Sequence, residues 1–377
     1  MIEKQALDAF IEANREDAVQ LLMTLGRIPA PSHQEDRRAA FCKNWFQQEG
    51  CSEVWIDSAK NVVCKFNCDR YDRITVLMAH MDVVFDDTGE LPMSRSGDIL
   101  RAPGIGDDTA NLVNLMMGTR FLIQNKEHLK TGIMIVANTC EEGLGNLKGC
   151  KEIFSNYGDR IQEFYSFDGY LAQCTSTAVG SHRYRMQVLC EGGHSYLNFG
   201  RDNAIQIAAE LIHQLYQITP PQEVYTTYNV GRIEGGSTVN SIAQEATLLY
   251  EYRSSSEHCL ELMRQAVNEV VERFRADGKT VNVEILGIRP GCGDGDRTAL
   301  EVWTERNIQL IRRYYDGEMD LGPYSTDANI PLSRNVLANT IGTVRGGGAH
   351  TREEWVDLTS LSTGMGVVLS ILSQYFD

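Results

Sequence analysis

A chain of 377 residues, 42% hydrophobic and 23% charged, is long enough to bury a full core and to divide into two domains. Its 51 acidic against 35 basic residues give a formal charge of -16, which excludes nucleic acid and anionic membrane as expected partners and favours small or cationic ones. No run approaches the roughly 18 unbroken apolar residues of a membrane span, the charged opening reads as a surface helix and not an export signal, and the ten cysteines lack paired spacing, so a soluble cytoplasmic protein with free thiols is expected.

In chain order, three apolar, β-branched runs at 74–79, 132–137 and 163–167 each stop abruptly at histidine or acidic residues and read as buried strands. Between the first two, Leu112, Leu115, Met116, Thr119 and Ile123 fall at helical spacing within 109–124. Strand, helix, strand predicts a mostly parallel sheet flanked by helices. The texture changes near Gly180. An alternating strand at 182–189, a helix at 203–216, strands at 225–233 and 246–253, a helix at 257–276 and a strand at 280–288 follow in the ferredoxin-like α+β order. Residues 289–296, with three glycines and one proline, read as a linker, after which come a helix at 300–315, a strand at 336–342 and a flexible glycine-rich loop at 345–349. The expected fold is α/β, with one domain formed by 1–181 and 291–377 and an inserted lid or dimerisation domain at 182–290.

The strand ends carry the candidate chemistry, because loops at the carboxyl edge of an open α/β sheet converge. His80 and Asp82 stand in Met-Ala-His-Met-Asp, Glu141 and Glu142 in Thr-Cys-Glu-Glu-Gly, Asp168 in Ser-Phe-Asp-Gly, and His350 in the loop beyond the last strand. Asp107 and Asp108 stand in Gly-Ile-Gly-Asp-Asp at a helix entry, where open N–H groups favour a carboxylate. Singly, these read as surface pairs, helix caps, turn residues and a structural histidine. Jointly, two histidines and three carboxylates suit a pair of divalent cations, and the lack of cysteine ligands points to catalysis over structure. The charges agree, since two Zn²⁺ ions are neutralised by Asp107, Glu142, Asp168 and one bridging hydroxide. Zinc is the expected metal, and Co²⁺ and Mn²⁺ accept the same ligands.

Over nearly the whole chain, the order of these motifs resembles the family of di-zinc metallopeptidases that includes peptidase T, carboxypeptidase G, aminoacylase and succinyl-diaminopimelate desuccinylase. Its Asp-Asp pair is similar to the peptidase-T-like members. The resemblance implies that Asp107 bridges both ions, that His80 and Asp168 complete one, and that Glu142 and His350 complete the other. Asp82 is then expected to hold the His80 ring, and Glu141, next to a ligand, to act as general base. In the inserted domain, Gly-Gly-His-Ser around His194 resembles the family's oxyanion donor, and Asn240 and Arg253 resemble its pair that holds a substrate carboxylate. Tyr-Ser-Thr-Asp-Ala-Asn resembles its substrate-pocket stretch, with Ser325 in place of a glycine.

Family members commonly follow the bridging aspartate with Asp-Lys or Met-Lys and a glycine, whereas this chain has Asp108, Thr109 and Ala110, so the charge of the substrate pocket does not transfer. The resemblance implies hydrolysis of a peptide bond in a small substrate with a free carboxylate, as an exopeptidase. An N-acyl-amino-acid amidohydrolase is the alternative within this chemistry, and a catalytically silent binding protein on the same fold is the alternative outside it. Lid closure over the metals and a homodimer through the inserted domain are further implications of the resemblance.

Overall fold

Every residue of strands Ile74–His80 and Gly132–Asn138 is buried, as continuous apolar runs require where a parallel sheet is covered on both faces. They lie centrally in a seven-stranded sheet of the computed structural model, which describes residues 2–171 and 173–377. Across the sheet the order is Val54–Ile56, Val62–Phe66, Gly132–Asn138, Ile74–His80, Ile161–Phe167, Leu337–Ile341 and Cys174–Thr175. The strands from Gly132–Asn138 to Leu337–Ile341 run parallel, and antiparallel strands close both edges. All parallel strands therefore end on one edge, which is where His80 and Asp168 emerge.

Helices Lys4–Leu25, Asn111–Asn125 and Ser360–Ser373 pack against one another. Gly118 permits the approach, since a Cβ there would lie 2.6 Å from Val368 Cγ1. The helix expected from residue 109 begins at Asn111, because Ile105–Ala110 forms a separate irregular turn in which Asp107 has φ -108° and ψ 89°, outside the helical region. The glycine run at 345–349 differs from the flexible loop expected of it. Gly346 and Gly347 pair with Val356 and Trp355, and a Cβ on Gly346 would meet the Trp355 carbonyl at 2.5 Å.

The chain divides into two units, the first running through Thr177 and resuming at Gly295–Asp377, the second spanning Ala178–Asp294. The second unit is a four-stranded antiparallel sheet in the order Thr226–Gly235, Glu245–Ser254, Gly180–Leu189, Thr280–Arg289. Burial alternates along Glu245–Ser254, so that Leu248, Tyr250 and Tyr252 join Met186 and Val188 beneath helices Ala204–Leu215 and Glu257–Ala276. Both helices start on side-chain caps, with Asn203 accepting from Ile205 N and Ser256 from Cys259 N. Among the described residues, no helix is long and apolar enough to cross a membrane.

Candidate metal centre

Three segments of the first unit deliver acidic and imidazole groups to one place. His80 is the last residue of its strand, Asp107 lies in the irregular turn before the next helix, and Asp168 follows the last residue of strand Ile161–Phe167, its N–H donating to Ile341 O at 3.1 Å. His80, Asp107 and Asp168 offer ligand atoms within 4.8 Å of one another, and so do Asp107, Glu142 and His350. Asp107 belongs to both sets. Its Oδ1 lies 3.1 Å from His80 Nε2 and its Oδ2 lies 3.2 Å from His350 Nε2, so each oxygen faces a different histidine. Glu142 Oε1 stands 3.3 Å from His350 Nε2 and, although buried, makes no hydrogen bond.

His80 Nδ1 lies 3.0 Å from the Asp82 carbonyl oxygen and 3.5 Å from its carboxylate. The backbone carbonyl is the closer partner, and the Asp82 carboxylate, the expected one, lies just beyond it. Donation from Nδ1 leaves Nε2, which faces Asp107, as the nitrogen that would meet a cation. The Asp82 carboxylate also accepts from Glu141 N and Glu142 N, each at 3.0 Å, and from Ser32 Oγ at 2.6 Å. It fastens the Glu141–Glu142 turn to the strand end that carries His80. Glu141 is buried beside it and also lies with His80 and Glu142 in a third set of close ligand atoms.

Two further residues, Asp108 and Asn111, brace the ligands. Asp108 accepts from His80 N at 2.9 Å and from Asn111 Nδ2 at 2.6 Å. Asn111 also donates to Gly169 O at 2.9 Å and accepts from Thr343 N at 2.8 Å, so one buried amide links the Asp107, Asp168 and post-Ile341 segments. The signal was present as an Asn one turn after an Asp-Asp pair, but its partners are far away in sequence. Ser325 precedes a segment pinned to two strand ends, with Thr326 Oγ1 2.6 Å from Thr340 Oγ1 and Asp327 Oδ2 accepting from Asn138 at 2.6 Å.

The electrostatics of the cluster are those of a cation site. Burial opposes charge on Asp107, but hydrogen bonds from His350 and His80 and their charge hold it well below the usual carboxylate range. Burial, then the charge of Asp107, pushes Asp168 far up and Glu142 up to about 7. The carboxylates of Asp107 and Glu142, which face its ring, raise His350 to about 11. His80 rises well above its ordinary value, because the charge of Asp108 and bonds to Asp107 and Asp82 outweigh desolvation. These carboxylates thus lack enough positive charge from their own neighbours to ionise together, and divalent cations would supply it. The donor set, its shared aspartate and the unbonded buried Glu142 oxygen fit two such ions.

In the second unit, Gly193–His194 pairs with Ser241–Ile242, and Ser195 N donates to Asn240 O at 3.0 Å, which brings His194 and Asn240 together. His194 Nδ1 accepts from Tyr196 N at 3.2 Å, which places its ring proton on Nε2. Asn240 Oδ1 accepts from Thr238 Oγ1 at 2.9 Å, so the amide offers its NH₂. Arg253 lies on strand Glu245–Ser254. It stands opposite Ser181, eight positions along the strand from Glu245, or about 26 Å at strand rise, and its guanidinium binds Glu251 at 2.9 and 3.1 Å.

A family model described as peptidase family M20/M25/M40 matches residues 76–374. Among solved structures, a tripeptidase from Staphylococcus aureus subsp. aureus Mu50 superposes with TM-score 0.77 at 20% identity, covering 96% of this chain and 98% of the other. The aminopeptidase PepT from Bacillus cereus ATCC 10987 gives 0.71 at 21%, covering 96% and 99%. A dinuclear metal-binding peptidase of the M20 family from Bacillus subtilis gives 0.62 at 13%, covering 97% and 100%. At these identities the superpositions establish the shared α/β fold.

Proposed function

This chain belongs to peptidase family M20/M25/M40, and on that premise we propose that it is a dinuclear metallo-exopeptidase cleaving a small peptide with a free carboxylate. The observation that carries the reading is Asp107, whose two oxygens face His80 and His350 and which is common to both ligand sets. His80, Asp107 and Asp168 would hold one ion, and Asp107, Glu142 and His350 the other, with zinc suited to this mixture of imidazole and carboxylate. Cations held there would supply Lewis acidity to the scissile carbonyl and to water.

The chain's own groups supply the rest. Glu141, held by its backbone bond to Asp82, takes the proton of the attacking water and returns it to the leaving amine. His194, with its proton on Nε2, donates to the developing oxyanion, and the Asn240 amide and Ser325 hydroxyl bind the substrate's polar groups. Arg253 binds the terminal carboxylate, leaving Glu251 for a bidentate partner. Arg253 pairs with Ser181 at one end of its strand, whereas His194 follows Leu189 at the opposite end, which supports a homodimer in which His194 and Asn240 of one copy and Arg253 of the other serve one substrate. All ten cysteines are free thiols, which supports a reducing, cytoplasmic setting.

The test is a panel of di- and tripeptides, their amidated forms and N-acyl amino acids, run with metal-reconstituted wild type and Glu141→Gln. Hydrolysis of free-carboxylate peptides, lost in Glu141→Gln by about 10²–10⁴-fold with metal content unchanged, is the expected result. Turnover of N-acyl amino acids alone makes the protein an amidohydrolase, and no turnover across the panel makes it a binding protein.

A further inference from the structure

Glu354 lies four residues beyond His350 and is fully buried. Its carboxylate has no role in either ligand set, yet it accepts three backbone hydrogen bonds from the loop that carries Asp107. Oε1 accepts from Gly106 N at 2.8 Å and Asp107 N at 2.7 Å, and Oε2 accepts from Gly104 N at 2.9 Å. Its own carbonyl accepts from Ala102 N at 3.2 Å, and the next residue, Trp355, pairs with Arg101 in a short antiparallel ladder. The loop is shaped around the carboxylate. Gly104 has φ 68°, and a Cβ on Gly106 would lie 3.0 Å from Oε1.

Successive N–H groups turned inward form a concavity for an anion. Here the anion is a side chain, and its position fixes the peptide from which the Asp107 carboxylate projects. We propose that Glu354 is a positioning residue that aims Asp107, holding its two oxygens toward the two ligand sets so that one carboxylate serves both ions. The inference rests on the dinuclear reading of the site. It assigns a role to a residue that touches no substrate and donates no ligand. A carboxylate that only filled the loop would affect folding, whereas one that aims Asp107 also sets how tightly the two ions are held and how they communicate through their shared ligand.

The experiment titrates Zn²⁺ calorimetrically into metal-free wild type, Glu354→Gln and Glu354→Ala, and records paramagnetic resonance of the Co²⁺-loaded proteins as a measure of coupling between ions. Circular dichroism and thermal melts establish the fold of each. Glutamine keeps one acceptor oxygen and turns a donor toward the N–H groups that faced the other, so it should fall between wild type and alanine. The expected result is two ions in wild type, with the shared-ligand step weakened about 10–100-fold in Glu354→Gln, more in Glu354→Ala, and Co²⁺–Co²⁺ coupling reduced in the same order. If alanine fails to fold, glutamine alone decides. Folded Glu354→Gln that binds two ions with wild-type affinity and coupling overturns the inference, even if its melting temperature falls. Wild type that takes up fewer than two ions overturns the dinuclear reading and this inference with it.

Discussion

Replacing Asp82 by Asn separates two roles for that residue. If it served mainly to orient the His80 ring, the change would be mild, because the closer partner of Nδ1 is the Asp82 carbonyl, which every residue supplies. The carboxylate's bonds to Glu141 N, Glu142 N and Ser32 Oγ predict a larger effect. With its oxygen kept toward Glu142 N and Ser32, the Asn amide nitrogen would face Glu141 N, donor against donor. Depriving a buried N–H of its acceptor costs roughly 1–3 kcal/mol, and removing the charge from the two surviving bonds roughly 1–2 kcal/mol more. The total, about 2–5 kcal/mol, divides between folding and the aim of Glu141 and Glu142. Denaturant unfolding of the metal-free variant should show a loss of about 2 kcal/mol or more, and kcat should fall about 10–100-fold with KM little changed. Asp82→Asn with wild-type kcat and wild-type unfolding midpoint would refute the clamp.

Ligand deletions should separate by stoichiometry: His350→Ala retains about one ion per chain and Asp107→Asn retains neither firmly, as read by elemental analysis after gel filtration. Metal affinity should fall as pH falls, because the site raises the proton affinity of His80, Asp168 and His350, the last to about 11, and a cation must displace those protons. The slope should steepen as pH drops through about 7, where Glu142 gains its proton. Calorimetry in two buffers of different ionisation enthalpy reads the released protons, and a buffer-independent heat would contradict this. Mixing His194→Ala with Arg253→Ala, each expected to be nearly inactive, should restore about a quarter of wild-type activity, since random pairing makes half the dimers mixed and each mixed dimer holds one complete site. Mixtures no more active than their parents would argue against sharing between copies.

What the sequence disclosed and what it hid divide along physical lines. Ile74–His80 and Gly132–Asn138 were legible because a fully buried parallel strand must be apolar throughout, and its polar stop marks the sheet edge. The α/β fold follows from that alternation of buried strand and helix. The antiparallel strands Val54–Ile56 and Val62–Phe66 and the small sheet around Ile99–Arg101 left no such pattern, being short runs that depend on pairing with the rest of their sheets. Side-chain types also disclosed candidate ligands, because histidine and carboxylate at strand ends are rarely placed there by packing alone. Backbone acceptors left no such trace. That His80 leans on a carbonyl, that Asp82 binds peptide N–H groups and that Glu354 fills a loop all depend on main-chain atoms, which every residue carries. Arg253 shows what type alone leaves open. Its type suits a carboxylate clamp, but strand register sets it opposite Ser181, whereas His194 belongs to a separate two-stranded pairing that follows the Leu189 end of the neighbouring strand. Residue type therefore reports which chemistry is available, register decides which groups can act on one molecule, and main-chain hydrogen bonding decides how firmly they are aimed.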